Sequence, residues 1–132
     1  MLLNAPVRDA EVENPIAEYP SISIKDLLAN VRLDQSKGEL LLTEKILLAM
    51  DTINGDLNGL EIQSKEQIRK YKRAVSYEAA ALICEDNLDF DTTTAGQVRG
   101  ENQQVKADAH RRIVQHTIAD LTNRPRNRVR LI

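Results

Sequence analysis

Four arginines at every second position, Arg124, Arg126, Arg128 and Arg130, are the residues whose type and spacing point most plainly to chemistry. A guanidinium is a planar, permanently charged fork that pairs with carboxylates or phosphates. In an extended chain the alternation puts all four on one side and leaves Pro125, Asn127, Val129 and Leu131 on the other, whereas a helix would scatter them. No acid lies between Arg124 and Ile132, on a chain of formal net charge -2; by subtraction the residues before this tail carry -6. A strand of this kind is not stable alone. The pattern predicts addition to a partner's sheet edge, with Val129 and Leu131 buried and the arginines on carboxylates or phosphates. A frayed, solvated terminus is the plain alternative. Contact with nucleic-acid phosphates is the other, although four arginines on an acidic body support only weak binding.

Elsewhere the reactive side chains point away from catalysis. His116 and Asp120 stand four apart on one helical face, with His110 six residues earlier, but two ligands do not complete a metal site. Asp86, Asp89 and Asp91 lack the ligand spacing, central glycine and closing glutamate of a helix–loop–helix calcium site, and read as solvated charges. Cys84, the single cysteine, has no disulfide partner, and Glu85 and Asp86 beside it would raise its thiol pKa, so a structural role is expected. There is no glycine-rich phosphate loop, serine elbow or two-histidine zinc motif. The expectation is a non-enzymatic protein with no cofactor.

A chain of 132 residues and 14.9 kDa has room for one core. Hydrophobic residues make up 42% but aromatic ones only 3%, so the core must be aliphatic and alanine-rich, which favours packed helices over a sandwich. No stretch approaches the length of an apolar membrane span, and the first residues lack a basic start followed by an apolar run. The chain is read as cytoplasmic at synthesis, with no membrane partner.

Residues 1–22, with Pro6, Pro15, Pro20 and an acidic excess, read as an extended N-terminal arm. A helical domain over 23–123 and the basic tail over 124–132 follow. Ser23 can cap a first helix running to about Ser36, with Asp26 beside its positive end and Ile24, Leu27, Leu28 and Val31 inward. A second helix from Glu39 carries Leu42, Ile46, Leu47, Met50, Ile53 and Leu57. It ends near Asn54 or one turn later, among Gly55, Asn58 and Gly59. Ser64 with Gln67 forms a capping-box pattern for a third, alanine-rich helix through Tyr71, Val75, Leu82 and Ile83. Residues 85–96 read as a loop. A last helix from near Gly100 to Asn123 is expected to turn Val105, Ala109, Ile113, His116 or Thr117, and Ile118 to Leu121 inward, stopping before Arg124-Pro125.

The order of these features resembles a known family. Ile24-Lys25-Asp26-Leu27 and Val31-Arg32-Leu33-Asp34-Gln35, then Leu40-Leu41-Leu42 to Asn54, are followed by Tyr71-Lys72-Arg73-Ala74-Val75 and Ala79 to Leu82. Ile118-Ala119-Asp120-Leu121 then runs into Arg124-Pro125-Arg126. From about residue 22 to 132 the chain is similar to the head completion proteins of contractile-tailed phages. The resemblance implies an all-α, four-helix head–tail connector-like domain with extended arms at both ends. It implies a virion protein of the neck, assembled in the host cytoplasm, that joins the portal protein after DNA packaging and closes the filled head. The implied partners are the portal, further copies of itself in a twelve-fold ring, and a tail-terminator or second connector protein, with DNA passing through unread. Arg124, Pro125, Arg126, Arg128, Val129, Arg130, Leu131 and Ile132 are then the expected portal-binding residues. A small helical nucleic-acid-binding or regulatory protein using the same arginines is the alternative.

Overall fold

A computed structural model of the chain describes residues 11–31, 38–88 and 94–123. The fold is all-α: α1 (Ile24–Asn30), α2 (Glu39–Leu57), α3 (Lys65–Leu88) and α4 (Thr94–Thr122) follow a two-residue strand pair, β1 (Glu11–Val12) and β2 (Ile22–Ser23). The α3 helix is the hub and packs on each of the other three helices.

The helix starts follow from local hydrogen bonding. The Asp26 amide donates to the Ser23 hydroxyl at 2.9 Å, and the Ser23 amide donates back to the Asp26 carboxylate at 3.0 Å, a complete capping box opening α1. The same logic opens α3. The Gln67 amide donates to the Ser64 hydroxyl at 3.0 Å, while the Gln67 side-chain oxygen accepts from the amides of Gln63 and Ser64 at 2.9 and 3.0 Å. Asn58 closes α2 in the left-handed conformation at φ 51°, and Gly59 follows at φ 85°. Gly55 does not stop α2. A glycine inside a helix costs about 1 kcal/mol, and burial of Leu57 one half-turn later offsets it.

Residues 11–22, expected as part of an arm, fold onto the helices. Val12 pairs with Ile22 and Glu11 with Ser23 in antiparallel register. Val12, Tyr19 and Ile22 are buried with the α2 and α3 side chains. Two prolines had argued against a helix, and correctly, but three separated apolar residues suffice to seat an irregular segment on a core.

The ends of α3 and α4 also differ from expectation. Residues 85–88 continue α3 and 94–96 already belong to α4, so the loop expected over 85–96 is corrected at both ends, and residues 89–93 lie outside those described. Ion pairs hold the last turns of α3: Lys45 Nζ lies 2.7 Å from the Asp86 carboxylate, and Arg111 pairs with Glu85. Glu85 and Asp86, which read as loop charges, are cross-helix anchors, while Asp89 and Asp91 lie outside the described residues.

On α4 the expected inner face holds from Thr117 to Leu121 and differs before it. Val105 is 66% exposed and His116 is exposed, while Ala107, Val114, Thr117, Ile118 and Leu121 are buried. Ala107 meets Ala81 and Cys84 of α3, and these small side chains set a close helix approach. Over the first half of the helix the alanine, and not the bulkier Val105, marks the inner face.

Candidate functional site

The predicted portal-binding residues, Arg124 to Ile132, lie outside the described residues. What the structure defines is the end of the body from which the tail departs. The α4 helix finishes at Thr122, and Asn123 turns left-handed at φ 60°, the usual way a helix ends short of a proline. Beside it, Gly55 through Leu60 and Thr122 line an open depression of about 740 Å³.

Two polar clusters fix the helices that carry this end. In the first, the Asn14 amide donates to the Tyr71 hydroxyl at 2.6 Å, and that hydroxyl donates to the Asn54 side-chain oxygen at 2.5 Å. The Asn54 amide donates to the Asn14 oxygen at 3.0 Å, closing a triangle between the β1–β2 loop, α2 and α3. Burial pushes the Tyr71 hydroxyl up to about 12, helped by the nearby charges of Tyr19 and Asp51 and opposed by the Asn14 hydrogen bond. Tyr19, tilted against Tyr71 with ring centroids 5.4 Å apart, donates its hydroxyl to the Leu60 carbonyl at 2.6 Å. None of these residues was singled out as polar glue from the sequence. Asn14 and Asn54 carried no signal beyond their neighbours, proline and glycine, which read as turn markers.

In the second cluster Arg111 of α4 forks onto α3. It donates to both oxygens of Glu78 at 3.0–3.3 Å and pairs with Glu85. The hydrogen bonds it donates to Glu85, then to Glu78, outweigh desolvation and hold the guanidinium in its charged form. Glu78, 7% exposed, is the most enclosed of the three side chains.

On another side of the α3–α4 seam, the Arg73 guanidinium lies 5.1 Å over the Tyr77 ring. The Tyr77 ring in turn stands 5.4 Å from His110. Burial, followed by the charge of Lys106, lowers the His110 pKa below its ordinary value. His116 is exposed on α4, and Cys84 is buried against alanine. Among the described residues no three His, Cys, Asp or Glu side chains stand together as a metal site, and no helix is long and apolar enough to cross a membrane.

The geometry is that of a scaffold: small-residue seams, neutral and charged clasps, and a terminus delivered to one end of the body. The family model for phage head completion protein (GPL) matches residues 60–132, which is α3, α4 and the tail. The chain belongs to that family. No curated protein and no solved structure matches it. Phage head completion proteins are a structural, non-enzymatic family of the virion, and membership gives this chain a structural role in head assembly. The matched region opens at Leu60, so the α1 and α2 motifs of the resemblance stand outside it, while the arginine tail stands within it.

Proposed function

We propose that this head completion protein is a head–tail adaptor that docks on the portal ring after DNA packaging, closes the filled head and presents the surface to which the tail joins. The single observation that carries the reading is that the family match runs through the alternating arginine tail to Ile132. In this reading the chain has three parts: an N-terminal segment over 1–22, a helical adaptor body over 23–123 and a portal-docking tail over 124–132. Val129 and Leu131 bury against a portal strand edge, and Arg124, Arg126, Arg128 and Arg130 pair with carboxylates along it. Copies form a ring that follows the portal's twelve-fold symmetry. A tail-terminator or second connector protein binds the ring's far side.

Co-sedimentation with purified portal rings tests this directly, comparing the full chain with one cut after Asn123, with duplex DNA as control. Saturable binding by the full chain that disappears on truncation supports the adaptor. Binding to DNA without binding to portal replaces it with a nucleic-acid-binding protein that uses the same arginines.

A further inference from the structure

Two exposed surfaces on opposite sides of α3 carry opposite local charge. Tyr71 points at the β1–β2 loop, since its hydroxyl meets Asn14 there. Arg69 and Arg73 are two residues before and after it, about 200° around the helix at 100° per residue, so they face away from that loop. The loop itself is acidic. Glu13 and Glu18 are exposed at either end of Pro15, Ile16 and Ala17, which are exposed too, Ile16 by 38%. This is an apolar tip with an acidic rim.

The far face is its complement. Arg69 and Arg73 are exposed one turn apart, and among the described residues neither has a carboxylate partner. Arg73 is stacked on the half-buried Tyr77, whose ring continues to His110, with Lys106 one turn before it on α4. An aromatic centre with a cationic rim is the composition favoured at protein interfaces, where arginine and tyrosine are enriched. Phosphates are the less favoured occupant, because the residues before the tail carry a net -6, which repels a polyanion as a whole while leaving the local patch free to meet acids of its own kind.

We propose that two copies of this chain join head to tail, the Glu13–Ile16–Glu18 tip of one seating on the Arg69–Arg73–Tyr77 face of the next. The two surfaces differ and lie on opposed sides of α3, so the contact is heterologous and repeats from copy to copy, the kind that generates a ring when the rotation closes. This deepens the ring reading above and rests on it. The opposed charges fix register and disfavour two like faces meeting.

Charge exchange between the surfaces tests the contact. Full-length protein is followed by sedimentation velocity at low and high salt, with circular dichroism to verify that each variant keeps its helices. The wild-type chain self-associates at low salt and less so as salt screens the rim. Arg69→Glu with Arg73→Glu weakens association by on the order of tenfold, and so does Glu13→Lys with Glu18→Lys. Mixing the two variants in equal amounts restores it, because each then offers the other an opposite face; a misfolded variant could not do this. Unchanged association in the variants, no rescue on mixing, or a wild-type chain that stays monomeric overturns the proposal. Loss of duplex DNA binding in the arginine variant with self-association intact reassigns the face to phosphate. Portal binding that survives truncation after Asn123 defeats the tail-docking reading and leaves this contact standing.

Discussion

At its N-terminal half α3 is clasped chiefly by neutral groups, the Tyr71–Asn54–Asn14 triangle and the Tyr19 ring, with one half-open ion pair from Lys72 to Asp26, whereas its C-terminal half is clasped by charges, Arg111 on Glu78 and Glu85 and Lys45 on Asp86. The neutral clasp is enclosed in aliphatic side chains, with Tyr71 and Ile53 fully buried. The charged clasp is partly open, Arg111 being 34% exposed and Glu85 37%. A buried hydrogen-bond triangle holds its strength in salt and fixes one geometry, while half-open ion pairs weaken with salt and adjust. The half that anchors the β1–β2 loop is thus the more rigid, and the half toward the C-terminal end of α3 the more sensitive to conditions.

The largest expected effect comes from breaking the neutral clasp. Tyr71→Phe leaves a donor of Asn14 and an acceptor of Asn54 without their partner, and urea unfolding should show a loss of about 2–3 kcal/mol that changes little with salt. The pH dependence carries the same signature. Since the folded Tyr71 pKa is raised from 10.0 to about 12, the stability it confers is complete below the unfolded value and is lost as pH rises through that window. The phenylalanine variant should lack most of this alkaline decline, keeping the part due to Tyr19, which burial also raises.

Breaking the charged clasp should cost less. Arg111→Met strands the enclosed Glu78, but the openness of Arg111 and Glu85 brings the expected loss down to about 2 kcal/mol from the larger figure for a fully buried pair. Unlike the tyrosine variant, this one should approach wild type in molar salt. Such a contrast in salt response, measured by the same unfolding assay, is the sharpest check on the two-clasp description.

Between the clasps sits Ser76, fully buried, its hydroxyl the one buried side-chain polar atom among the described residues with no hydrogen-bond partner. Ser76→Ala should therefore stabilise the protein, by about 1 kcal/mol in thermal or urea unfolding. The smallest effect is expected at the α1 cap. Partial burial works against the charged form of Asp26, but the Ser23 amide and the Lys72 ammonium outweigh it and hold the carboxyl below its ordinary 3.8. A lowered folded pKa means a contribution present above the unfolded value and lost as pH falls through the folded one. Asp26→Asn should thus cost about 0.5–1 kcal/mol near neutrality, a difference that fades as the solution is acidified below the ordinary carboxylate range.

These clasps also mark where the sequence was legible. The helices, their caps and most of the core could be read because Ser23 with Asp26, Ser64 with Gln67, and Leu42 through Leu57 obey local rules of spacing and hydrogen bonding, although α1 stops at Asn30, before an extended Val31, and not near Ser36 as expected. The neutral triangle could not, because its three members are 17 to 57 residues apart and asparagine beside proline or glycine carries a turn signal that masks its tertiary use. The α4 face was legible from Thr117 to Leu121 but misread before it, where Arg111 reaches α3 and Ala107 packs there although Val105, the larger aliphatic, is exposed. The alternating arginine tail lies within the family match, and the docking proposed for it rests on its period of two. Its partner is a property of another molecule and is not written in this chain.

The most direct measurement is therefore made on the assembled particle. A photo-cross-linking residue is placed at Val129 of the full-length chain, which is incorporated into DNA-filled heads and irradiated. The account predicts a single major adduct to the portal protein, absent when the reporter is moved to exposed Val105 on α4. Adducts from Val129 to DNA alone, or none to portal from heads that contain the protein, would contradict it.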